Sequence, residues 1–312
     1  MTRAFILGAG FSALQGFPLV RDLRPRVENF LRDGNDPLYG VLYSQYKEVA
    51  HELDPHRELA FEGLFARMLN TLLDPDNHSV LQCLRGGAAR VLWNIHNSYQ
   101  EIRDPYKNFG LWFKLRDSRS SWNGIISFNW DVVVEQALKA AGIPWSYSTR
   151  YQGVPVIKPH GSINWNGHLR ANLTPAGYHG WARIHPESGI SFIEDNPLED
   201  PDPQETNPGL RYMLFPGAKE PSTGDKDLRL LWEQVREIIG RSESVIFIGY
   251  SLPDYDLEAR NALVKWIGKR EIEVYSPTQE TLNKYRVVFG PMANLKLHAV
   301  RFEECPYSGR PS

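Results

Sequence analysis

Three polar side chains that could do chemistry stand just past apolar runs. Asn129 and Asp131 follow Gly124-Ile125-Ile126-Ser127-Phe128, and His160 follows Val154-Pro155-Val156-Ile157-Lys158. Two other runs end in glycine: Phe5-Ile6-Leu7 stops at Gly8-Ala9-Gly10-Phe11-Ser12-Ala13, and Val245-Ile246-Phe247-Ile248 stops at Gly249-Tyr250-Ser251. A buried strand that breaks at Gly-x-Gly and restarts as a helix lets backbone N–H groups approach a pyrophosphate, and Ala13 completes the G-x-G-x-x-G/A form. The pattern points to a dinucleotide or phosphoribosyl ligand. A histidine at a strand tip is either a loop residue packed on its neighbours or a general base, and the base role explains why it shares a sheet edge with Asn129. Asp131 also reads as the N-cap of the helix that follows it, and Asn129 as a turn residue.

The elements that must position these groups alternate strand and helix. Val132 to Ala140 form a helix closed by Gly142. Leu228, Leu231, Trp232, Val235 and Ile238 mark another that Asp225 caps and Gly240 stops, and a third begins near Asp254 or Asp256 and runs to Gly268. Ile272-Glu273-Val274-Tyr275 reads as a further strand, and Ser276-Pro277-Thr278-Gln279 has the form of a capping box with proline at the first helical position. This is an α/β pattern, a doubly wound, mainly parallel Rossmann-like sheet with a helical insertion module. Residues 1–34 and 119–312 read as the Rossmann-like domain and 35–118 as the module. Within the module, Phe61, Leu64, Phe65, Met68, Leu69 and Leu72 fall on one helical face, and Leu84, Ala88, Val91, Leu92, Ile95, Tyr99 and Ile102 on another. Glu28 lies near where a dinucleotide fold keeps its ribose-binding acid, but no second strand precedes it, so it reads as a solvated helix residue. Residues 166–225 lose periodicity, and the acidic, proline-rich stretch 194–208 reads as a solvated loop or a lid.

Composition narrows the partners. A net charge of −2 over 312 residues leaves no basic reserve for nucleic acid. Cys83 and Cys305 alone can build neither a disulfide framework nor a Cys-x-x-Cys zinc ribbon, so no metal is expected. Met-Thr-Arg runs directly into a strand without a signal-peptide pattern, and no apolar run approaches membrane-spanning length. The expected location is cytoplasmic, away from any membrane.

Five signatures stand in one order: Gly8-Ala9-Gly10-Phe11-Ser12 with Gly16-Phe17-Pro18, Phe128-Asn129-Trp130-Asp131, Lys158-Pro159-His160-Gly161-Ser162, Leu214-Phe215-Pro216-Gly217 and Gly249-Tyr250-Ser251-Leu252. Together they resemble the sirtuin family, and more closely its bacterial sirtuin-like branch that hydrolyses NAD in defence against phage. The resemblance implies that Gly8, Ala9, Gly10 and Phe11 hold the NAD phosphates, and that Ser12, Asn129 and Asp131 surround the nicotinamide and its ribose. It implies further that His160 acts as base on the ribose hydroxyls, and that Gly249, Tyr250 and Ser251 form the turn beside the adenosine. NAD is then substrate rather than resident cofactor.

The departures from that pattern bear on the reaction. The four-cysteine zinc module of protein-deacylating sirtuins is missing. Leu19-Val20-Arg21-Asp22 replaces the usual Asp-Phe-Arg, Phe128 the glutamine before the asparagine, and Tyr250 the threonine of the Gly-Thr-Ser turn. The expected function is therefore an NAD glycohydrolase, with an NAD-dependent deacylase and a silent NAD or ADP-ribose sensor as alternatives. An unrestrained NAD hydrolase is toxic, so a trigger is expected from homo-oligomerisation, a partner ATPase or a phage-derived protein, with the helical module as contact surface.

Overall fold

The computed structural model describes residues 2–33, 37–59, 61–71, 78–116, 123–167, 181–185, 187–193, 197–198, 211–214, 226–291 and 294–309. In chain order its elements are β1 (Arg3–Leu7), α1 (Ala9–Ser12), α2 (Val20–Asp33), α3 (Pro37–Leu53), α4 (Phe61–Thr71), α5 (His78–Ser98), α6 (Asp104–Arg116), β2 (Asn123–Ser127), α7 (Val133–Ala140), β3 (Trp145–Ser146), β4 (Val154–Ile157), β5 (Gly161–Asn166), β6 (Trp181–Arg183), β7 (Ser191–Ile193), β8 (Arg211–Met213), α8 (Lys226–Arg241), β9 (Ser244–Ile248), α9 (Leu257–Ile267), β10 (Glu271–Tyr275), α10 (Gln279–Phe289) and β11 (Leu295–His298). Among the described residues no helix is long and apolar enough to cross a membrane.

Ala4 to Leu7 and Val245 to Ile248 are buried on both sides, as unbroken apolar runs in a parallel sheet require. Seven strands lie in the order β11-β10-β9-β1-β2-β4-β3, every neighbouring pair parallel. The expected doubly wound α/β sheet is thus present. Its two faces carry different aromatic sets. Phe5 packs on Phe109, Trp112 and Phe113 of α6 and on Tyr307 of the C-terminal segment. Phe247, of opposite side-chain parity, meets Tyr285 and Phe289 of α10. Gly124 lets α8 close on β2, since a Cβ there would lie 2.9 Å from Ile238.

After β1 the chain builds β2, the edge strand β3 and then β4 between them on one side, and returns to build β9, β10 and β11 on the other. The reversal falls at β1, between β2 and β9. A crevice opens there at the carboxyl ends of the strands, the usual ligand position in an open parallel sheet.

Four features differ from expectation. Strands β5, β6, β7 and β8 form a second, antiparallel sheet in the order β6-β7-β5-β8, where only a strand tip and irregular chain were expected. Strands β6, β7 and β8 have three residues each, too short to display a period of two. Glu28 is not solvated: it is 7% exposed, and its carboxylate accepts from Tyr46 Oη at 2.7 Å, Arg24 Nε at 2.9 Å and Arg57. Helix α10 starts at Gln279 after Thr278, two residues later than a capping box on Ser276 requires. The fourth is β3, an edge strand of two residues beside β4. Phe215-Pro216-Gly217, Asp225 and most of the acidic stretch 194–208 lie outside the described residues.

Candidate active site

Two strand-tip turns interlock at the floor of the crevice. Gly8 N donates to Ile248 O at 3.1 Å and Gly10 N to Gly249 O at 3.0 Å. A Cβ on Gly8 would sit 2.5 Å from Tyr250 Cα, and one on Gly249 2.3 Å from Phe11 N, at a φ of +64°. These glycines are therefore required first by the approach of one backbone to another. Their amides are correspondingly committed within the protein, which narrows the expected phosphate cradle toward Ala9. The Phe11 ring turns into the core against Tyr106, Phe109 and Phe302, so this residue contributes to the turn through its backbone.

Asn129, just past β2, joins that floor. Its Nδ2 donates to Gly8 O at 2.9 Å and to Ser12 Oγ at 3.1 Å. Both amide protons are thereby committed, and Oδ1 is what Asn129 offers to the crevice. Ser12 is fully buried and also hydrogen-bonds the Asp131 carboxylate. Asp131 Oδ1 accepts from Val133 N at 3.0 Å, so the aspartate holds the first turn of α7 from one position before the N-cap Val132. Burial pushes its carboxyl up to about 6, against the Lys158 charge and the Val133 and Ser12 hydrogen bonds that hold it down.

His160 sits in the tight turn between β4 and β5, which Gly161 closes at a φ of +77°. Trp130 Nε1 donates to His160 O at 2.9 Å, tying the tip of β2 to that turn. Beneath it, Lys158 is fully buried and directs its ammonium at Asp131 O (2.5 Å), Ser162 Oγ (2.7 Å) and Glu135 Oε1 (3.0 Å). One cation thus fastens the Asn129–Asp131 segment to the His160 turn. His160 Nε2 lies 3.2 Å from Asp256 Oδ2, and the Phe128 ring meets the imidazole edge-on at 4.9 Å.

A cavity of about 390 Å³ gathers these groups. Gly8, Ala9, Gly10, Asn129, Asp131, His160, Gly249, Tyr250 and Ser251 line it; Phe11 and Ser12 stand behind its wall. Volume, aromatic walls and a few convergent polar groups are those of a small-molecule site. Reasoning from sequence missed three contributors: Arg21, a cation at the cavity's open side whose side chain is 81% exposed, and Lys158 and Asp256. Arg21 follows the Gly16-Phe17-Pro18 turn, a signal that could have found it. The wall residues Phe128 and Tyr250 stack on one another with centroids 4.6 Å apart. Two apparently separate departures from the sirtuin pattern are in this way one packed unit.

No protein-family model and no curated protein matches the chain. Among solved structures, a mutant Sir2 homologue in complex with ADP ribose is similar at 15% identity and a TM-score of 0.45, over 97% of this chain and 88% of that one. A second, described as a structural basis for the mechanism and regulation of Sir2 enzymes, matches at 12% identity and a TM-score of 0.44, covering 97% and 88%. A third, on sirtuin substrate affinity, matches at 13% and 0.45, covering 96% and 89%. Likeness of this size names neither a family nor an activity for this chain.

Proposed function

We propose that the chain is an NAD glycohydrolase, cleaving NAD to nicotinamide and ADP-ribose. The observation that carries this reading is the convergence of Asn129, Asp131 and His160, from two strand tips, on one cavity floored by the interlocked glycine turns. In support stands the order of motifs, which resembles the NAD-hydrolysing sirtuin-like branch.

The nicotinamide–ribose bond breaks with its electron pair leaving on the pyridine nitrogen, which becomes neutral. The ribose passes through an oxocarbenium-like state, and water adds at the vacated carbon. The proton released goes to His160, directly or through a ribose hydroxyl, and then to solvent. Such a reaction needs positioning and charge stabilisation more than nucleophilic force. Asn129, with only Oδ1 to offer, orients the water or a ribose hydroxyl as an acceptor. Asp131 seats the nicotinamide carboxamide, and Arg21 meets the pyrophosphate at the open side. Ser12 acts through Asn129 and Asp131 as a positioning residue.

In the cell the same reading is of a cytoplasmic effector that depletes NAD in antiphage defence. Its trigger is homo-oligomerisation, a partner ATPase or a phage-derived protein, engaging the helical module 35–118. Asn129→Ala and His160→Ala are expected to lower nicotinamide release by about 10²–10⁴, the usual share of a positioned acid–base or orienting group. NAD binding, followed by calorimetry, should persist in His160→Ala. Wild-type turnover in either variant would remove the site from the reaction.

A further inference from the structure

We infer that Asp256 is the positioning residue of His160: its carboxylate stands beside Nε2, favours the imidazole proton on that nitrogen and leaves Nδ1 as the basic one. The inference rests on the cavity being an NAD-cleaving site. Asp256 Oδ2 lies 3.2 Å from His160 Nε2, with the two side chains 3% and 10% exposed. The same carboxylate caps α9, Oδ1 accepting from Ala259 N at 3.4 Å, and Oδ2 also accepts from Tyr250 Oη at 3.4 Å. Ala259 N and Tyr250 Oη both donate to this carboxylate, which is thus an acceptor on both oxygens, and the imidazole tautomer that suits an acceptor at 3.2 Å carries its N–H at Nε2. Among the described residues Nδ1 has no hydrogen-bond partner, and the cavity borders the ring. Phe128, stacked on Tyr250, packs edge-on against one side of the imidazole.

On proton transfer, the hydroxyl proton moves to Nδ1 and the imidazolium charge is balanced across Nε2 by the carboxylate. The base is therefore oriented by a third group, the arrangement of an activated nucleophile–base system carried over to a hydroxyl proton.

Helix capping and histidine orientation make different demands on position 256, and this separates the two roles. Asparagine caps a helix about as well as aspartate. With its Oδ1 on Ala259 N, however, an Asp256→Asn side chain turns its amide protons toward His160 and Tyr250, so Nε2 must become the acceptor and the imidazole proton moves to Nδ1. Asp256→Ala loses the cap but leaves the imidazole free to choose. The expected order is therefore inverted: Asp256→Asn keeps the melting temperature and loses kcat by about 10²–10⁴ with KM for NAD little changed, whereas Asp256→Ala melts lower and loses less kcat.

The experiment pairs that kinetic comparison with ¹⁵N NMR of histidine-labelled full-length protein, the His160 signals being identified by their loss in His160→Gln. Wild type should show Nε2 protonated and Nδ1 bare, and Asp256→Asn the reverse. The same His160 tautomer in both proteins, wild-type kcat in Asp256→Asn, or a deeper kcat loss in Asp256→Ala would overturn the assignment. If wild type releases no nicotinamide from NAD under any triggering condition, the hydrolase reading fails, and the NMR comparison still decides the pairing.

Discussion

Asn129 shows how a residue type narrows to a role through its partners. With Nδ2 donating to Gly8 O and Ser12 Oγ, the amide is locked in one orientation and acts on a ligand as an acceptor. Asp131 is the opposite case, a carboxylate whose ionised form is held at a cost. Its carboxyl rises from 3.8 to about 6 in the fold, so the folded state favours the proton. The penalty is absent below the unfolded value, grows as pH rises between the two, and is complete above about 6. Asp131→Asn is therefore expected to stabilise the ligand-free protein at pH 7.5 by about 1–3 kcal/mol in urea unfolding, a difference that closes below about pH 4. No stabilisation at pH 7.5 would mean that the carboxylate is better solvated than its burial implies. Asn129, Asp131 and His160 were legible in the sequence because each follows an apolar run at a strand tip. Asp256 was legible only as a helix start: the N-cap pattern is local, while its contact with His160 depends on β4 and β9 ending at the same edge of the sheet. Lys158 was similarly hidden, since nothing in an apolar run announces that its terminal cation turns inward.

At the scale of elements, helix α2 is fastened to the chain around residue 54 by charge. Arg24 donates to Glu28 at 2.9 Å, to Leu59 O at 3.0 Å and to Asp54, and Arg57 completes the Glu28 pair. Burial alone would raise both carboxyls, but hydrogen bonds from Tyr46, Arg57 and Arg24 hold Glu28 below its ordinary value, and those from Arg24, Glu58 N and Leu59 N do the same for Asp54. Depressed carboxyls stabilise the fold above their unfolded values and lose that share as pH falls through the folded ones. Arg24→Met leaves two buried carboxylates short of their cation and is expected to cost about 3–5 kcal/mol at pH 7, measured by urea unfolding. The cost should shrink near pH 4, where the unpaired carboxyls take up protons. An equal loss at both pH values would assign the effect to packing instead. Glu28 read as solvated because no second strand precedes it, and nothing local to its helix shows that Tyr46 of α3 and the 54–59 turn close over it. The second sheet had one local signal: in Ser162-Ile163-Asn164-Trp165-Asn166 polar and apolar residues alternate, but all are buried, so the polar side of β5 faces other polar groups such as Tyr147 rather than water.

At the scale of the molecule, the reversal of strand order at β1 brings residues 8, 129 and 249 to one place. The helices between β1 and β2 add the other wall of the cavity, with Leu23 from α2 and Leu92 from α5, and Trp93 Nε1 ties α5 to the second sheet through Ile163 O at 3.2 Å. A partner acting on residues 35–118 would thus have a short mechanical path to the site. The alternation of strands and helices made the parallel sheet readable from sequence, because each buried strand keeps its own apolar run. Strand order was less readable, since it depends on which helices cover which face. The central claim is hydrolysis of NAD, and the most direct measurement is nicotinamide and ADP-ribose released from NAD by purified protein, with and without an acetylated peptide. Release of both products in equal amounts without peptide, about 10²–10⁴-fold weaker in Asn129→Ala and His160→Ala, is the predicted result. Nicotinamide release that requires the peptide and transfers its acetyl group would contradict it, as would NAD that binds and is never cleaved under any triggering condition.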